Sequence, residues 1–170
     1  MRTPLSSKFF DRPTLEVARD LLGKFLVRKI GRREVARMIT EVEAYVGTKD
    51  RASHACRGER PRNRVMFRKS GIWYVYFTYG MHWMLNIVTE RERYPAAILI
   101  RGVQGLPGPG RLTKFFRIDG KLNEKPADKK SGLWIENRGV RVSSSEIKRG
   151  KRVGVDYAGA WKHKLWRFYL

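Results

Sequence analysis

The chain has 170 residues, about one domain's length, and its 42% hydrophobic content with five Trp, seven Tyr and eight Phe is enough to bury a core, which excludes a disordered basic tail. Its 37 Lys plus Arg against 16 Asp plus Glu give a formal net charge of +21, a field that favours a polyanion, nucleic acid ahead of an anionic membrane. No stretch approaches the roughly 20 apolar residues of a spanning helix, no secretion signal is visible, and the lone Cys56 rules out a disulfide framework or a thiolate zinc cluster.

Thr14 to Lys24 spaces Leu15, Ala18, Leu21 and Leu22 at helical intervals, with Thr14 as N-cap and Gly23 as stop. Phe25 to Ile30 and Val35 to Val46 read as strands around a Gly31, Arg32, Arg33 turn. Within the second of these, Ala36 to Val46 places Glu41, Glu43 and Tyr45 on one face, against an apolar floor of Met38, Val42 and Val46 on the other. Asp50 to Lys69 is polar, holds seven Arg or Lys, and reads as a long functional loop. Ile72 to Thr78 and His82 to Thr89 form a second hairpin through Tyr79, Gly80 and Met81, and Ala96 to Val103 continues as a third strand. Gly105 to Gly110 breaks the sheet and Arg111 to Phe116 reads as a short helix. Asp119 to Ser131 is expected to be a mobile exposed loop. Val140 to Val142 and Arg152 to Val155 are expected to be closing strands.

Hydrolysis of a bond at a sugar carbon needs a positioned carboxylate, and Glu43 is the candidate; solvation of an edge strand by Glu41 and Glu43 is the bland alternative. Tyr74 and Tyr76 share a face and, with Tyr45 and His54, build a slot for a planar base if they are not simply sheet packing. Tyr79 at a hairpin tip is either a wedge that enters a base stack or a loop residue folded back on the hairpin. Arg51, Arg57, Arg60, Arg62 and Arg64 read as phosphate contacts or as solvated charges. Two further classes remain open: a binding module without chemistry, and a metal-dependent nuclease using Glu41, Glu43 and Asp50. His54 has no partner at metal spacing, and no cofactor is expected.

The order and spacing of TEVEAYVG (Thr40 to Gly47), SHACRG (Ser53 to Gly58), PRNRVMF (Pro61 to Phe67), YVYFTYGMHWMLN (Tyr74 to Asn86) and WRFY (Trp166 to Tyr169) resemble the alkyladenine, or 3-methyladenine, DNA glycosylases, from about Arg12 to the C-terminus. The resemblance implies a monofunctional enzyme that flips a damaged purine out of duplex DNA and hydrolyses its N-glycosidic bond, leaving an abasic site. It makes Glu43 the general base, Tyr45, His54 and Tyr76 the walls of the base pocket, and Asn86 a pocket residue that helps exclude guanine. Tyr79 then fills the gap left in the helix, while Met81 and Arg101 contact the DNA backbone. With it the chain is expected to be one α+β domain over residues 1–170: a curved, mostly antiparallel sheet, flanking helices and a protruding hairpin. The implied partner is double-stranded DNA carrying alkylated or deaminated purines, bound by a monomer, in the cytoplasm at the nucleoid if the source is prokaryotic. The chain departs from its relatives at Arg60, where a small hydroxyl residue is common, and at Met84 and Leu85, where Cys and Met are common.

Overall fold

The computed structural model describes residues 2–170. A short strand β1 (Thr3–Pro4) and a single turn α1 (Ser7–Phe10) precede α2 (Thr14–Leu21), whose Val17, Ala18 and Leu21 are fully buried. The helix stops three residues earlier than expected. Gly23 adopts φ +82° and donates its N–H to the Ile39 carbonyl, turning the chain into β2 (Phe25–Ile30), and a Cβ there would lie 2.7 Å from Val142 Cγ2. Thr14 is the first helical residue rather than the cap. Its N–H and hydroxyl both donate to Glu90 Oε1, at 2.8 and 2.9 Å, so a carboxylate 76 positions away supplies the capping acceptor.

β3 (Arg33–Val46) pairs with β2 through its first half and with β6 (Ala96–Val103) through its second. β4 (Trp73–Thr78) and β5 (His82–Val88) form the second predicted hairpin, whose tip turns through Tyr79 at φ 52° and Gly80 at φ 63°. β7 (Leu106–Pro107) pairs with β6 inside the segment expected only to break the sheet, and α3 (Pro109–Phe115) follows. β8 (Leu133–Asn137), β9 (Lys148–Gly150) and β10 (Arg167–Tyr169) complete the chain. The sheet runs β1-β8-β2-β3-β6-β5-β4, with β10 on the second half of β3 and β9 on β10, and all these pairings are antiparallel. With helices packed on it, the architecture is α+β. Among the described residues no helix is long and apolar enough to cross a membrane.

Several expectations need correction. Two register shifts between Ile39 and Val42 leave Thr40 unpaired on β3 and Arg101 unpaired on β6, a bulge in each strand, so Ile39 joins Val42 and Ala44 in the core, with Val46 packed against them, and takes the place in the floor that strict alternation gives to the half-buried Met38. The expected closing strands Val140–Val142 and Arg152–Val155 are irregular. At 152–155 the Val153 N–H is spent on a side chain, leaving no ladder to build. The closing strands are β9 and β10 instead. Asp119 to Ser131 is not a free loop: Trp73 N–H donates to the Lys125 carbonyl and Val75 N–H to Asn123 Oδ1, so the segment covers the outer edge of β4, and Leu122 and Ala127 enter the core. The Asp50 to Lys69 stretch contains two 3-10 turns, His54–Arg57 and Arg64–Phe67, pinned by buried Ala55, Val65 and Met66.

Candidate active site

The second half of β3 lies between β6 and β10, so Glu43 is on an interior strand and has no exposed surface. That removes edge solvation as its explanation. Its Oε2 accepts from the Tyr45 hydroxyl at 2.8 Å, and its Oε1 accepts from the Val153 N–H at 2.8 Å. Arg101 occupies the bulge of β6 and brings its Nε to 3.6 Å from Glu43 Oε1 and 3.1 Å from Glu41 Oε1; Arg167 Nη1 also meets Glu41 Oε1, at 3.2 Å. Loss of hydration pushes the Glu43 carboxyl above its ordinary pKa, partly offset by the Val153 and Tyr45 hydrogen bonds and by Arg101, with Glu41 pushing the same way as burial.

Next to Tyr45 lies a pocket of about 110 Å³ lined by Tyr45, His54, Tyr76 and Asn86, with Tyr79 and Tyr157 also on its wall. The four residues expected to bind a base, scattered over 42 positions, are therefore brought together. His54 and Tyr76 stack edge to face with centroids 4.7 Å apart, and His54 Nδ1 lies 2.8 Å from the Tyr74 hydroxyl. Burial lifts the Tyr74 hydroxyl to about 12, so it stays protonated, while burial and then Arg62 hold the His54 imidazole below its usual range and favour its neutral form. Asn86, buried, is fixed by donation of its Nδ2 to the Tyr74 carbonyl at 3.1 Å.

Tyr79 is 78% exposed and Met81 68% exposed at the hairpin tip, so Tyr79 is not folded back. Arg62 donates to the Phe77 carbonyl and lies over the Tyr76 ring, joining the loop to the hairpin. A groove of about 860 Å³ adjoins the pocket through His54 and Tyr157 and carries Lys49, Arg51, Arg57, Arg60 and Arg62. Arg64 is not part of it: Nε and Nη2 are both committed to Glu124 Oε1, at 3.0 and 2.9 Å. Arg101, expected on the DNA backbone, is mostly buried and spent on Glu41 and Glu43. The three carboxylates of the nuclease reading are held by cations, Asp50 by Arg152, Glu41 by Arg101 and Arg167, and Glu43 by Arg101. Among the described residues no three His, Cys, Asp or Glu side chains gather as a metal site.

Sequence reasoning missed four participants. Asn63 is buried and donates to the His54 and Gly58 carbonyls while accepting from the Arg60 N–H, so it shapes the loop that carries His54. Its signal lay within PRNRVMF, where the arginines drew attention instead. Val153 acts through its backbone and leaves no side-chain signal. Arg152 sits in the stretch expected to be a closing strand, and Tyr157 lies two residues beyond it, in the 3-10 segment Asp156–His163.

The methylpurine-DNA glycosylase family matches this chain over residues 8–107 and 106–170. A protein of Methanocella arvoryzae named as a candidate 3-methyladenine DNA glycosylase is 43% identical, the match covering 97% of this chain and 91% of that protein. Likewise named proteins of Myxococcus xanthus, 42% identical over 98% of this chain and 89% of theirs, and of Sodalis glossinidius, 44% identical over 98% and 96%, are similar along their lengths.

Proposed function

The chain belongs to the methylpurine-DNA glycosylase family, and from that membership we propose that it is a monofunctional DNA glycosylase, a single domain that flips alkylated or deaminated purines out of duplex DNA and hydrolyses their N-glycosidic bond. The observation that carries this reading is a buried carboxylate, Glu43, whose two oxygens accept from Tyr45 and Val153, both on the wall of the pocket that also gathers His54, Tyr76 and Asn86. Glu43 accepts a proton from water as the water attacks C1′, and the purine leaves as the sugar develops oxocarbenium character. Because Glu43 has no exposed surface, that water sits in the seam between Tyr45 and Val153, both of which line the pocket. Arg101, 3.6 Å from Glu43, favours the ionised form that the reaction needs.

Recognition follows from the slot. Tyr45 and Tyr76 present π-faces that attract a cationic alkylpurine more than a neutral one. The Tyr74 hydroxyl can donate to His54 Nδ1, which leaves Nε2–H as the ring's free donor toward an acceptor on the flipped base. Asn86, held on the slot wall by Tyr74, opposes the exocyclic amine of guanine. Tyr79 fills the hole that the flipped base leaves, with Met81 against the backbone beside it, and offsets part of the few kcal/mol that extrusion costs. The Lys49 to Arg62 groove takes phosphates next to the flipped nucleotide.

Base release from a methylated duplex by the parent protein, and its loss in Glu43→Gln, tests the whole reading. The wedge has its own test: Tyr79→Ala should melt like the parent yet bind and excise from duplex DNA about tenfold less well, since one stacking aromatic is worth roughly 1 to 3 kcal/mol. Unchanged duplex kinetics remove the wedge. The groove predicts a salt dependence: five cations on five phosphates give a log–log slope of binding against salt of about −4.5, checked by titration in rising NaCl, and a slope near zero removes the groove from the interface.

A further inference from the structure

Asp50 and Arg152 are both buried, 102 positions apart, and form a two-pronged ion pair: Nη1 to Oδ2 at 2.6 Å and Nη2 to Oδ1 at 2.8 Å. Neither lines the pocket or the groove, yet Arg152 touches the groups that hold Glu43, and Asp50 holds Arg152. Arg152 is the chain neighbour of Val153, whose N–H binds Glu43 Oε1, and its guanidinium lies 4.8 Å from the Tyr45 ring centroid, the residue whose hydroxyl binds Glu43 Oε2. Arg152 also donates to the Ala44 carbonyl, at 2.9 Å, and stacks on Trp166 at 5.1 Å. Asp50 in turn accepts from the Val46 and Ala52 N–H groups, fixing the start of the loop that carries His54. Arg152 Nε is buried with no partner among the described residues, a desolvation cost that an apolar residue filling the same space avoids.

We propose that Asp50 and Arg152 are positioning residues for base removal: their pair locks the 152–155 loop onto β3 so that the Val153 N–H and the Tyr45 hydroxyl aim the Glu43 carboxylate. The inference rests on Glu43 being the general base. The charged and titratable groups around Glu43 are Glu41 and Tyr45 on its own strand, Arg101 on β6, Arg167 on β10, Tyr76 on β4 and Arg152 on the loop. A general base works as the carboxylate, so excision falls as pH drops through the Glu43 pKa. Slackening the Val153 N–H contact removes a group that favours the carboxylate, so the acid limb of the rate profile moves to higher pH.

The test is single-turnover release of methylpurines from methylated duplex DNA across pH, for the parent, Arg152→Lys, and the double variant Asp50→Asn with Arg152→Met. Lysine keeps the charge but loses the fork and the planar stack; the double variant removes both charges, so it leaves no buried ion unpaired should the single variant fold poorly. Melting curves and binding to a duplex with a tetrahydrofuran abasic analogue accompany the rates. A folded variant that binds the abasic duplex like the parent, releases base about 100-fold more slowly and shows its acid limb at higher pH supports the inference. Parental rates, or slower release with an unmoved limb, overturn it and leave a structural role alone. If the parent itself releases no base, the glycosylase reading falls and this inference with it.

Discussion

Glu43→Gln is expected to slow base release by about 1,000-fold, inside the roughly 10²- to 10⁴-fold range of general-base catalysis. Glutamine has the same shape and still accepts through its carbonyl oxygen, so one of the two donors, Tyr45 or Val153, keeps its partner while the other meets an amide NH₂. The stability cost of that mismatch is offset because the ionised carboxylate is itself disfavoured by burial. The variant should therefore fold and bind lesion DNA while failing at chemistry. Single-turnover rates beside binding isotherms check it. A loss of binding in step with rate contradicts the assignment, since a group acting only on the attacking water leaves the ground-state complex unchanged.

The largest expected stability change comes from Asp50→Ala, which leaves Arg152 buried without its counter-ion and should cost about 3 to 5 kcal/mol. It also strips the Val46 and Ala52 N–H groups of their acceptor. For a chain of this length that is a fall in melting temperature of about 10 °C or more. Thermal unfolding of parent and variant decides it, and a shift near zero contradicts the burial of the pair. The same melting experiment on Asp20→Ala gives the contrast: its bond to Arg12 is a surface pair with the carboxylate half exposed, and is worth little.

The parts of the fold that were legible in the sequence are those where one physical pattern dominates. Apolar and β-branched runs gave β2, most of β3, and the β4–β5 hairpin with its tip at Tyr79 and Gly80; the left-handed backbone of that tip is a finding of the structure. β8 was not legible because Glu136 interrupts its apolar run, and only the fold shows that Trp134 Nε1 and Arg138 satisfy that carboxylate. β9 and β10 were hidden by their shortness and their charges, with Arg167 facing Glu43 across the ladder. In the site, Glu43 and Tyr45 were readable from their spacing, and Tyr79 from its place at the tip. Asn86 came only from the family resemblance. The bulge that carries Arg101 toward Glu43, the Val153 N–H and the Asp50–Arg152 pair arise from long-range register, which no local pattern records.

The decisive measurement is a single-turnover reaction of the protein, in chelator, with an end-labelled duplex methylated on its purines, following free base and strand length together. Free methylpurine appearing while the strand stays intact until alkali cleaves it is the predicted result for a monofunctional glycosylase that uses Glu43 and water. A strand cut without alkali, or binding with no release of base, would contradict it.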